Sequence, residues 1–133
     1  MKPVDQTTFG VPKGNCFSAC VATLLGLTIE QVPFFMGDPD EPGHVWWDRF
    51  NGWLEARGLY ALNFNVRDQE TDASLPGFYI LCGDSPAGPH SCVARGRAHP
   101  SSVVHDPNPS RAGLLKVDSI VVLVPLDPER APS

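Results

Sequence analysis

GNCFSACVATLLG, residues 14–26, places a cysteine directly behind a glycine-asparagine pair and ahead of an apolar run that ends in another glycine. Phe17, Cys20, Val21, Leu24 and Leu25 recur at i, i+3, i+4, i+7 and i+8, which predicts a helix over 16–25 with one face in a core. Gly26 is its stop signal, and Asn15 is expected as its N-cap, accepting a free backbone N–H of the first turn. Cys16 therefore sits at a helix start. There the unpaired N–H groups and the positive end of the helix dipole favour a thiolate over a thiol.

Working outward, Thr28 and Gln31 have capping-box spacing, and the short helix they predict is limited by Pro33. Residues 37–43, with Pro39 and Pro42 among acidic side chains, read as a loop. A second long helix is predicted over 44–57, with Trp46, Phe50, Trp53 and Leu54 on one stripe and Gly58 as its stop. Beyond Gly58 the period changes. Tyr60, Leu62, Phe64 and Val66 alternate with Ala61, Asn63 and Asn65, which predicts a strand over 60–66 with that apolar face in the core, followed by a polar turn over 68–74. Further strands are expected over 77–82, 90–95, 102–105 and 119–124, with 83–89 as a glycine-rich turn. Helices followed by a run of strands is an α+β plan, with N-terminal helices packed on an antiparallel sheet. Residues 1–125 form one domain in this reading, and 126–133, rich in proline, a frayed tail.

The bulk composition narrows the function. Fifteen acidic against ten basic residues, a formal charge of -5, offers no basic footprint for phosphates, so nucleic acid is not expected as a partner. No apolar run reaches the roughly 20 residues of a membrane helix. The start, MKPVDQTTFG, has neither a signal-like apolar stretch nor a cleavage-like end, so cytoplasmic residence and no membrane partner are expected. In a reducing compartment the four cysteines stay thiols. Taken singly, each is a small buried hydrophobe until position argues otherwise.

Position argues for Cys16. His90 opens a predicted strand and Asp106 ends the next one. If those strands are antiparallel neighbours joined through 96–100, imidazole and carboxylate meet, and the carboxylate can orient a histidine that serves the thiol. His105 adjoins Asp106, so strand alternation turns it to the opposite face, while His44 and His99 neighbour loops and are expected in solvent. Trp46 and Trp53 follow the helix stripe into the core. Trp47 lies off it and is a candidate substrate contact.

GNCFSACVATLLG, PHSCVARG (89–96) and VVHDPNPSRAGL (103–114) occur in the order seen in the papain-like clan, and the chain resembles the bacteriocin-leader-processing cysteine peptidases and their stand-alone relatives. The resemblance implies Cys16 as nucleophile, His90 as base, Asp106 with Pro107 as the orienting Asp-Pro, and Cys20 as a packing cysteine. It further implies a cysteine-dependent hydrolase or acyl-transfer enzyme with a peptide or protein substrate and no cofactor or metal. The family's oxyanion glutamine position falls on Gly10. Gln6 is the nearest candidate, provided 9–14 bulges out as an insertion. Asn15 replaces a common aspartate, and Ser91 stands where an apolar residue is usual. Two rival readings are a degenerate member of this fold that binds a peptide without cutting it, and a zinc module drawing on Cys16, Cys20, Cys82, Cys92, His90 or His105. The absence of a C-x-x-C pair counts against zinc.

Overall fold

Residues 1–66 and 74–130 are described by a computed structural model. Helix α1 spans Cys16–Leu25 and α2 spans Gly43–Glu55, with a 3-10 turn at Ile29–Gln31 between them. Five strands follow: β1 (Leu59–Asn65), β2 (Ser74–Ser85), β3 (Gly88–Arg97), β4 (Val103–His105) and β5 (Lys116–Pro125). They form one sheet in the order β1-β5-β2-β3-β4, and every neighbouring pair is antiparallel. The α+β plan expected from the change of period is thus the observed one. The polar turn expected over 68–74 lies outside the described residues, except for Ser74, which opens β2.

Both helices cover one face of the sheet, α1 against β2 and β3, α2 against β1. Because side chains alternate along a strand, Ala61, Ile80, Val93 and Val121 face the helices and share a core with Phe17, Val21, Phe50 and Leu54. Tyr79, Leu81, Cys92 and Ala94 occupy the other face, where Leu114 packs on them. The buried Tyr79 hydroxyl is satisfied by donating to the carbonyls of Gly96 and Arg97 at 3.1 and 2.8 Å.

On β1 the expected core face is reversed: the Ala61 side is the one α2 covers, while Leu62 and Phe64 are exposed. Three further expectations are corrected. The glycine-rich stretch 83–89 is not a long turn: β2 and β3 stay paired to Ser85↔Gly88, leaving two residues at the tip. Gly83 is there for closeness instead. At the bulge between Cys82 and Gly83, a Cβ on residue 83 would overlap the Lys116 carbonyl of β5. Second, α2 ends at Glu55, short of Arg57. Third, Asn15 makes no side-chain cap on α1. Its amide oxygen accepts from the N–H groups of Thr7 and Thr8 at 2.9 and 3.0 Å, which are closer competitors for it.

At the C-terminal end, the Leu126 N–H donates to Gly58 O at 2.9 Å and Pro128–Arg130 forms a 3-10 turn, while 131–133 of the expected tail lie outside the described residues. Among the described residues no helix is long and apolar enough to cross a membrane.

Candidate active site

Three elements converge on one end of the sheet. Cys16 is the first residue of α1, His90 lies near the start of β3, and Asp106 immediately follows β4. Since β4 pairs antiparallel with β3, the end of one strand returns beside the start of the other, as the spacing of His90 and Asp106 anticipates. His90 Nε2 is 2.6 Å from Asp106 Oδ1, and both side chains are buried. The same ring lies close enough to Cys16 to act on its ionisation. Sulfur, imidazole and carboxylate therefore form one connected chain.

The carboxylate has no freedom to leave. Asp106 Oδ1 also accepts the Asn108 N–H at 2.9 Å, and Oδ2 accepts the Gly113 N–H at 2.7 Å. The segment Asp106-Pro107-Asn108 is both a turn and a clamp on the histidine.

These contacts set the protonation states. Burial pushes the Cys16 thiol up, but the hydrogen bond and charge of His90, with the N–H groups of Ser91 and Phe17, outweigh it and leave Cys16 below the ordinary thiol value. Burial disfavours charge on His90, yet its bonds to Cys16, Cys92 and Asp106 push it up to about 11. Asp106 is raised by burial and lowered more by His90 and the two backbone N–H groups, so it stays below the usual carboxylate value. Burial pushes the other three thiols, Cys20, Cys82 and Cys92, upward. Only Cys16 is shifted towards thiolate.

A pH dependence of stability follows from these signs. Asp106, lowered when folded, contributes stability that is present above about pH 3.8 and disappears as the pH falls through its folded value. His90, raised when folded, contributes fully below about pH 6.5, declines above it and is lost as the pH passes about 11. In urea melts, the stability gap between the native chain and Asp106→Asn should close on the acid side, and the gap to His90→Ala on the alkaline side. Gaps that stay constant over both ranges would contradict the ion-paired arrangement.

Cys16 and His90 open on a cavity of about 610 Å3. Phe17, Met36, Trp46 and Trp47 give it an apolar wall, and Gln6 also lines it. Residues 9–14 do loop out: the Asn15 N–H closes on Thr8 O at 3.2 Å and the Gly14 N–H on Gly10 O at 2.6 Å. That loop returns Gln6 to the thiol's neighbourhood despite its distance in sequence. Gln6 is buried, its Nε2 donates to Thr8 O at 2.9 Å, and among the described residues its Oε1 has no partner.

Trp47 lines the cavity, edge-on to Trp46 and to Phe50 at centroid distances of 5.6 and 5.7 Å. Trp46, expected as core packing and a groove wall, packs on Phe17 and lines the cavity too. Trp53 packs on Phe35 and under Arg57.

No family model, curated protein or solved structure matches this chain.

His105 is turned away from the cysteine, as alternation requires: its Nε2 donates to Val4 O at 2.9 Å. His44 and His99 are exposed. Cys92, a packing residue by its position in a strand, also acts on His90. Its i+2 spacing from His90 on β3, which puts both on one face, was the available signal. Donor atoms of His90, Cys92 and Asp106 lie within 4.8 Å of one another, the one group among the described residues compact enough to consider for a metal. The 2.6 Å contact between His90 and Asp106 fits a direct hydrogen bond. Two ligands bonded to a tetrahedral zinc at about 2.0–2.2 Å stand roughly 3.3–3.5 Å apart, so this set as arranged does not fit the ion.

Proposed function

We propose that this chain is a papain-like, cysteine-dependent hydrolase or acyl-transfer enzyme acting on an amide or thioester carbonyl of a peptide or protein. The observation that carries the reading is the convergence of Cys16, His90 and Asp106, with His90 bonded to Asp106 at 2.6 Å and acting on the Cys16 thiol, and with Cys16 and His90 lining a cavity open to a substrate. The Cys16 thiolate attacks the carbonyl carbon, and the carbonyl electron pair moves to oxygen. Gln6 Nε2 and the free N–H groups at the start of α1 hold the developing oxyanion. With Nε2 engaged by Asp106, His90 Nδ1 hands its proton to the leaving amine or thiol as the carbonyl re-forms. Water or an amine then attacks the acyl-enzyme, giving its proton to His90, and releases Cys16.

The cavity suggests the kind of chain it accepts. Among its described lining residues, Asp118 is the one carboxylate and no Lys or Arg takes part. An uncharged or cationic segment with an apolar side chain against Trp46, Trp47 and Met36 suits such a wall; an anionic one finds no Lys or Arg, and the one lining cation, His90, is already engaged by Cys16 and Asp106.

The test is iodoacetamide labelling of the native protein near pH 6, with the modified sites mapped by mass spectrometry. Cys16 should label rapidly while Cys20, Cys82 and Cys92 stay unmodified. Sluggish labelling spread over several cysteines would remove the nucleophile and favour a peptide-binding module that does not cut.

A further inference from the structure

Residues 4–6 lie along residues 105–107, joined at each step. His105 Nε2 donates to Val4 O, and the Gln6 N–H donates to Pro107 O at 3.0 Å. Between these bonds stands a fork. Arg111 Nη1 donates to Asp5 Oδ1 at 2.6 Å and Nη2 to Asp5 Oδ2 at 2.9 Å, while Nη1 also reaches the Asp106 carbonyl at 2.5 Å and that of Asn108 at 3.2 Å. One guanidinium thus ties the backbone that carries the orienting carboxylate to the residue beside Gln6.

The backbone singles out the same residue. Arg111 has φ 54, the one positive φ at a non-glycine position among the described residues. Glycine would adopt that conformation with less strain, as Gly113 does two residues on with φ 74. A side chain retained at a strained position is one whose contacts outweigh the strain. The contacts here run to Asp5 and to the Asp106 loop.

We propose that Arg111 and Asp5 are positioning residues, a bidentate ion pair that fixes residues 4–6 on the Asp106 loop so that Gln6 meets the oxyanion. This rests on the acyl-transfer reading above and adds to it how the oxyanion donor is held. The Asp106 carboxylate keeps His90, Asn108 and Gly113 as partners without Arg111, so the pair acts mainly through Gln6.

Two reagents on the full chain separate these effects. p-Nitrophenyl acetate acylates Cys16 through an oxyanion: the S–C bond forms at the carbonyl and p-nitrophenolate leaves. Iodoacetamide alkylates it by direct displacement of iodide at a saturated carbon, with no oxyanion. In Asp5→Ala and Arg111→Gly, acylation should fall about tenfold or more while alkylation stays within about twofold. Arg111→Lys, which keeps the charge and loses the fork, should fall in between. In a Gln6→Ala background, Arg111→Gly should add no further loss. Glycine suits φ 54, so Arg111→Gly is expected to fold, and a thermal melt of each variant checks this.

Unchanged acylation in these variants overturns the proposal. So does a parallel fall of acylation and alkylation, or a full Arg111 effect without Gln6. Native protein that alkylates fast but never acylates also overturns it, leaving the thiolate reading intact. Slow alkylation of native Cys16 removes both together.

Discussion

Replacing His90 with alanine should slow alkylation of Cys16 near pH 6 by about 30- to 100-fold. A thiol of ordinary pKa near 8.5 holds roughly one part in 300 as thiolate at that pH. In the native site the imidazolium keeps Cys16 below its ordinary value, and the ring itself is charged up to about 11, so the reactive ion pair persists across the neutral range. Without the ring, burial is the largest remaining influence on the thiol, and it acts upward. The full ratio is not expected, because a thiolate of lower pKa is also a weaker nucleophile, with a Brønsted slope of about 0.4–0.5. The check is the second-order rate constant with iodoacetamide, measured from pH 5 to 9 on both proteins. The gap between the two profiles should narrow towards the alkaline end, as the thiol of the variant begins to ionise. Equal rates at pH 6 would mean that the observed contact does not activate the sulfur.

Phe50→Ala should cost about 3–5 kcal/mol of stability and lower the melting midpoint by roughly 10–20 °C. Phe50 has no exposed surface and sits where the helices meet, edge-to-face with Phe17 at 5.0 Å and against Phe35 at 4.9 Å. Truncating it opens a cavity among aromatic rings whose positions are fixed by two helices, so collapse around the gap is limited. Phe17 follows Cys16 directly and supplies one of its N–H contacts, so the damage should reach Cys16 as slower alkylation. Phe64→Ala is the control: the side chain is 48% exposed on the edge strand β1, and its loss should stay within about 0.5 kcal/mol. Calorimetry on the three proteins decides the matter. A cost below about 1 kcal/mol for Phe50 would mean that the helix layer is not packed as described.

Local pattern carried the reading a long way. The helical stripe from Phe17 to Leu25 and the alternation after Gly58 each report a period set by backbone geometry, and both elements formed over those residues, but on β1 the period did not tell which face is covered: Ala61 is buried while Leu62 and Phe64 are exposed. Cys16 at the start of α1 was legible for the same reason. The adjacency of His90 and Asp106 followed from the antiparallel return of a short hairpin, which sequence order constrains. Errors arose where one residue type serves two purposes. Asn15 can cap a helix or bind a neighbouring strand, and Gly83 can turn a chain or admit a close carbonyl, and sequence does not reveal which partner is nearer.

The sequence by itself determined the order of elements, the α+β class and the helix-start cysteine, because those depend on contacts a few residues long. Tertiary structure alone decided that Gln6 swings back to the cavity, that Cys92 touches the histidine and that Asp5 grips Arg111, 106 positions away. Such meetings depend on how loops close and sheets stack, and no local period encodes the partner of a residue held by a distant segment of the chain.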